Sequence, residues 1–125
     1  MLTEARPIAF LPSSDLDRSR DFFAFTLGLT VEEVTPFACV VRTGPIMVRV
    51  TKVDDLRPQP FTVLGWQVAD IAATVAALTT AGVAFLHYDG LDQSPEGIWT
   101  TPGGDKVAWF ADPDGNTLSL TQFQR

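Results

Sequence analysis

Short apolar runs alternate along this chain with polar, turn-forming breaks, and the breaks set the elements. Pro7–Pro12 (PIAFLP) is apolar and predicts a short strand. Ser13, Ser14 and Asp15 follow, and Ser14 or Asp15 can accept from the free N–H groups that open a helix, with Asp17 in its electropositive first turn. That helix is expected over about Leu16–Leu27. Leu16, Phe23 and Leu27 share one face, flanked by Phe22, and Gly28 is a natural left-handed stop. Strands are expected at Leu29–Val34, Phe37–Arg42 and Ile46–Thr51, the last two joined by the turn Thr43-Gly44-Pro45. Lys52–Pro60 is polar and proline-bearing and reads as a linker.

The same order then recurs. Thr62–Val68 predicts a strand, Asp70 a cap, and Ile71–Ala81 a helix with Ile71, Val75 and Leu78 on one face, ended by Gly82. Val83–Tyr88 predicts a strand, Asp89–Gly97 a loop, Ile98–Thr101 and Lys106–Ala111 further extended runs, and Thr117–Phe123 the closing strand. The firmest reversal is Asp112-Pro113-Asp114-Gly115-Asn116. Pro fixes φ, Gly115 can take a positive φ, and Asp and Asn hydrogen-bond locally. The pattern is two copies of strand, helix, three strands, over about residues 6–52 and 62–123, joined by a linker of about 53–61.

Strand parity assigns faces. Leu64, Trp66 and Val68, Ile46, Val48 and Val50, and Leu118 with Leu120 form apolar sets that suit a sheet side packed beneath helices. The opposite sides carry Ile8 and Phe10; Met47, Arg49 and Thr51; Val63, Gly65 and Gln67; and Ser119 with Thr121. These sets mix a few polar groups among apolar ones, as small-molecule sites do.

Composition narrows the function classes. The 125 residues are 46% hydrophobic and 19% charged, an ordinary globular balance. A net charge of −6 argues against a nucleic-acid partner, which needs a basic face. No apolar run approaches the ~18 residues of a membrane span, and Arg6 and Pro7 interrupt any signal-like opening. A single cysteine, Cys39, rules out an intrachain disulfide and a thiolate metal cluster and suits a reducing cytoplasm. Cys39 and Trp66 are expected in the core, whereas Trp99 and Trp109 either pack inside or stack on a planar ligand.

The two βαβββ modules, the opening SSDLDRSRDFFAFTLG and the terminal WFADPDGNTLSL together resemble the vicinal oxygen chelate superfamily. That group includes glyoxalase I, extradiol dioxygenases, fosfomycin-inactivating thiol transferases and bleomycin-binding resistance proteins. The resemblance implies an α+β fold in which two βαβββ modules form a curled mixed sheet with a central cavity, and a homodimer. It also implies four inward strand positions for metal ligands, which carried over fall on Ile8, Arg49, Val63 and Ser119. Ile and Val have no donor atom, Arg is a permanent cation and a lone Ser hydroxyl is a poor ligand, so neither metal nor other cofactor is expected.

The leading expectation is therefore a metal-free cytoplasmic protein that binds a small, partly apolar molecule, neutral or anionic, like the sequestering resistance proteins. The expected ligand-binding residues are Ile8, Phe10, Met47, Arg49, Val63, Gln67, Trp99, Trp109, Ser119 and Thr121. Arg49 is either a cavity cation for a carboxylate, phosphate or polarised carbonyl, or a surface, dimer-facing or acid-paired residue. A cofactor-free lyase or isomerase would use Arg49 for an oxyanion and His87 as general base, against the plainer reading of His87 as a hydrogen-bonded structural residue. A non-enzymatic accessory module is the third expectation.

Overall fold

Asp15 and Asp70 open the two helices in the same way. Each has an extended backbone, and each accepts through Oδ1 from the N–H three residues on, Arg18 and Ala73 respectively, at 3.1 Å. The computed structural model describes residues 1–124 and falls into two units, Met1–Arg57 and Pro58 onward.

The first unit runs β1 (Ile8–Ser13), α1 (Leu16–Asp21), a π-helical turn (Phe22–Thr26), β2 (Thr30–Val34), β3 (Ala38–Thr43) and β4 (Ile46–Lys52). The expected helix over 16–27 is thus α-helical only in its first half. From Phe22 it widens, and Leu27 N–H reaches back to Phe22 O, before Gly28 leaves at φ +71°. The widened turn leaves Phe23 buried and Phe25 exposed. The sheet order is β1-β4-β3-β2, with β1 parallel to β4 and the other pairs antiparallel. Leu11, Cys39, Val41, Val48 and Val50 are buried on the side that α1 covers. Ser13 and Ser19 are buried there too and share a hydrogen bond of 2.6 Å that ties β1 to α1.

The second unit runs β5 (Thr62–Gln67), α2 (Ile71–Thr80), β6 (Trp99–Thr100), β7 (Lys106–Ala111) and β8 (Thr117–Gln122), in sheet order β5-β8-β7-β6. Here β5 is parallel to β8, and β7 is antiparallel to both its neighbours. Leu118, Leu120, Ala108 and Phe110 are buried beneath α2, where Trp66 stacks on Phe110 and Phe85 meets it edge-on. The observed class is α+β: two four-stranded mixed sheets, each a βαβββ unit.

One expected strand is not a strand. Val83–Tyr88 makes a single bridge, Phe85 with Phe110, and a bond from Leu86 N–H to Trp109 O. The place outside β7 is divided between this segment, beside Trp109 and Phe110, and β6, beside Lys106 and Val107. The side chain of Gln93 joins the two pieces. Its Oε1 accepts from Tyr88 N–H at 2.7 Å, and its Nε2 donates to Leu86 O and Gly97 O at 2.9 Å. One amide side chain thus supplies bonds that a continuous ladder would have made.

The Asp112–Asn116 turn is held as its sequence predicts. Asp112 Oδ1 accepts from Asp114 N–H and Asn116 N–H at 2.9 Å, Asn116 Nδ2 donates to Asp112 Oδ2 at 2.8 Å, and Gly115 sits at φ +89°. Among the described residues no helix is long and apolar enough to cross a membrane.

Candidate functional site

Each sheet has a side turned away from its helix, and the expected site residues distribute over these two sides. In the first unit, parallel pairing sets Ile8 beside Met47 and Phe10 beside Arg49, while β3 adds Val40 beside Arg49 and Arg42 beside Met47. Ile8, Phe10, Met47 and Arg49 therefore share a face. Phe10 on the edge strand is 64% exposed, and Arg49 is half-buried. Arg42 was not among the expected inner-face cations. It is neutralised by Glu32, with Nη2 to Oε1 at 3.0 Å and Nε to the same oxygen at 3.1 Å. The Arg49 guanidinium has no hydrogen-bond or ion-pair partner among the described residues.

The second unit gathers a more distinctive set. Pairing aligns Gly65, Ser119 and Trp109 across three strands, and Gln67, Thr121 and Val107 beside them, with Trp99 next to Val107. Trp99 and Trp109 stack with centroids 6.2 Å apart and planes 28° apart, and Tyr88 meets Trp109 edge-on at 5.3 Å. Both tryptophans are partly exposed and Tyr88 is exposed, so the cluster presents aromatic surface. Ser119 Oγ lies against Gly65: a β-carbon built there would be 2.6 Å from it. Gly65 thus admits the serine hydroxyl where any side chain would crowd it.

Gln67, Trp99, Trp109, Ser119 and Thr121 come together, then, on one face. Val63 does not join the ladder, because the β5–β8 register slips between Thr62 and Leu64 and leaves it unpaired at a bulge. Tyr88 was missed by the sequence reading, although its alternation with His87 could have suggested it. His87 is exposed, and its Nε2 lies 3.8 Å from where a β-carbon on Gly97 would stand, whereas the adjacent Tyr88 meets Trp109.

Cys39 is buried, and burial pushes its thiol pKa up. Arg20, a cation that the sequence reading did not place near it, pulls in the opposite direction with the smaller effect. The positions that the family resemblance marks for metal ligands hold Ile8 and Arg49 in the first unit and Val63 and Ser119 in the second. This donor set does not fit a divalent metal, and no group of three His, Cys, Asp or Glu converges among the described residues.

Comparison with known proteins agrees with this architecture. A structure from Sphaerobacter thermophilus, described as a member of the glyoxalase/bleomycin resistance protein/dioxygenase superfamily, is similar at TM-score 0.73 and 22% identity, covering 98% of this chain and 100% of its own. A putative glyoxalase family protein from Bacillus anthracis matches at TM-score 0.76 and 12% identity, over 97% and 96% of the two chains. A lactoylglutathione lyase from Agrobacterium tumefaciens matches at 0.70 and 18%, over 98% and 96%. At these identities the likeness concerns the fold alone. No curated protein sequence matches the chain. The family model described as Glyoxalase/Bleomycin resistance protein/Dioxygenase superfamily matches residues 7–120. Over nearly its whole length, the chain belongs to the glyoxalase/bleomycin resistance protein/dioxygenase superfamily.

Proposed function

We propose that this protein binds a small, partly apolar molecule with a planar aromatic part, without covalent chemistry and without a resident metal, and so sequesters it. The observation that carries the reading is the Trp99–Trp109 stack with Tyr88 at its edge, on the side of the second sheet away from the core. A solvent-reaching aromatic pair offers a planar ligand both apolar area and quadrupole contacts, and Ser119, Thr121 and Gln67 beside it can orient polar substituents. In the first unit, the guanidinium of Arg49, without a partner among the described residues, supports recognition of a carboxylate or phosphate on that sheet face. The working form is taken to be a cytoplasmic homodimer. The exposed Ile8 and Phe10 on edge strand β1 support a second copy, and the single buried thiol is compatible with a reducing compartment.

The test is a tryptophan-fluorescence and thermal-shift screen of planar aromatic antibiotics, aryl carboxylates and aliphatic carboxylates. Planar aromatic compounds should bind. Trp109→Leu and Trp99→Leu should each weaken them by about tenfold, and Arg49→Met should weaken the aliphatic carboxylates, which engage the face of the first sheet. Equal affinity of the hits for wild type and both tryptophan variants would overturn the reading.

A further inference from the structure

The helix side of the second sheet carries a cleft that the aromatic face does not explain. It has a volume of about 690 Å³ and lies between α2 and the strands β6, β7 and β8. A neighbouring hollow of about 560 Å³ shares Ala69, Lys106 and Gln122 with it. The cleft volume falls within the range of small-molecule sites. Because strand residues alternate, β7 sends Val107 and Trp109 to the aromatic face and Lys106 to this one.

Three polar groups face the cleft in a defined arrangement. Register places Thr100, Lys106 and Gln122 side by side across β6, β7 and β8. Gln122 Oε1 accepts from Ile71 N–H at 2.8 Å. That bond fixes which end of the amide faces the helix and leaves Nε2 as a donor with no partner among the described residues. Lys106 has no ion-pair partner among the described residues either, and neither has Glu96, which lines the same cleft. Opposite charges that line one cleft without closing on each other leave room for a group of each sign between them. Ala72, Ala76 and Ile98 supply apolar wall. The N-terminus of α2 is not the anchor, because Gln122 takes Ile71 N–H and Asp70 takes Ala73 N–H.

We infer that this cleft binds a small dipolar molecule carrying a carboxylate and a protonated amine on an apolar body, of the size of an aliphatic α-amino acid. A simple anion would meet Asp70 and Glu96, and a simple cation would meet Lys106. A dipolar ligand uses both signs: its carboxylate goes to Lys106 Nζ and Gln122 Nε2, its ammonium to Glu96, and its side chain to the alanines and Ile98.

The experiment is an NMR titration of the isotope-labelled full chain with L-leucine, up to about 10 mM, the affinity range open to so small a ligand. L-Leucinamide, which lacks the carboxylate, and 4-methylpentanoate, which lacks the amine, serve as probes of each end. Leucine should give saturable shifts at the backbone amides of Ala72, Ala76, Lys106 and Gln122, and each probe should bind about fivefold or more weakly. Lys106→Met and Glu96→Gln, both at exposed positions, should each weaken leucine by about fivefold with an unchanged melting temperature. No saturation, equal binding of either probe, unaffected variants, or shifts confined to the Trp99 and Trp109 indoles would each overturn the inference. The first three outcomes leave the aromatic-face reading untouched.

Discussion

Truncating Leu118 and Ser119 in turn tests the assignment of faces directly, because the two are consecutive on β8 and point to opposite sides. Leu118 is 0% exposed and lies between Leu64 on β5 and Phe110 on β7. Removing three buried carbons at about 0.8 kcal/mol each costs ~2.4 kcal/mol, and the cavity left behind raises Leu118→Ala to about 3–5 kcal/mol. The cavity cannot close easily, since both neighbours sit on strands hydrogen-bonded to β8. Ser119→Ala removes only a hydroxyl packed against Gly65 and should cost less than about 1 kcal/mol. All three tryptophans lie in the second unit, so their fluorescence in urea reports its unfolding. The midpoint should fall sharply for Leu118→Ala with an unchanged slope, and the melting temperature should drop by ~12–20 °C, at about 4 °C per kcal/mol for a chain of this length. Equal losses for the two variants would mean that the faces are wrongly assigned, and with them the aromatic face and the cleft behind it.

Two further outcomes follow from the bonding of the second unit. Gln93→Glu keeps the acceptor for Tyr88 N–H but replaces the donor to Leu86 O and Gly97 O by a second acceptor. It should cost about 1–3 kcal/mol at neutral pH and raise amide hydrogen exchange across 83–99; unchanged exchange there would show that Gln93 does not hold the split strand position. Burial pushes the Asp112 carboxyl above the ordinary carboxylate value, with its hydrogen bonds from Asn116 and Asp114 opposing the shift. A raised carboxyl pKa means that the folded state takes up its proton first. Wild type should therefore gain stability relative to Asp112→Asn as pH falls from neutral through the folded value toward ~3.9; a relative loss over that window would show that the hydrogen bonds outweigh burial.

What the sequence by itself determined is what depends on near neighbours. The aspartate caps, the stop at Gly28, the Asp112–Asn116 reversal and the alternation that buries Leu118 and Leu120 rest on bonds spanning a few residues or on strand periodicity. They could be read without knowing what lies opposite. The set Gln67, Ser119 and Thr121 was legible for the same reason, since parity alone places it on one face. What only the tertiary structure decided depends on partners distant along the chain. Glu32 neutralises Arg42 across a bulged strand pair, whereas the Arg49 guanidinium on the same face has no partner among the described residues. A register slip takes Val63 out of the ladder, and Tyr88 joins Trp109 because the segment before Gln93 runs beside β7 without becoming a strand. Gln122 looks in sequence like one more polar residue on an alternating strand. Its bond to Ile71, 51 residues away, anchors α2 to the sheet and orients the amide toward the cleft, because a helix-opening N–H must find an acceptor and the fold brings this one within reach.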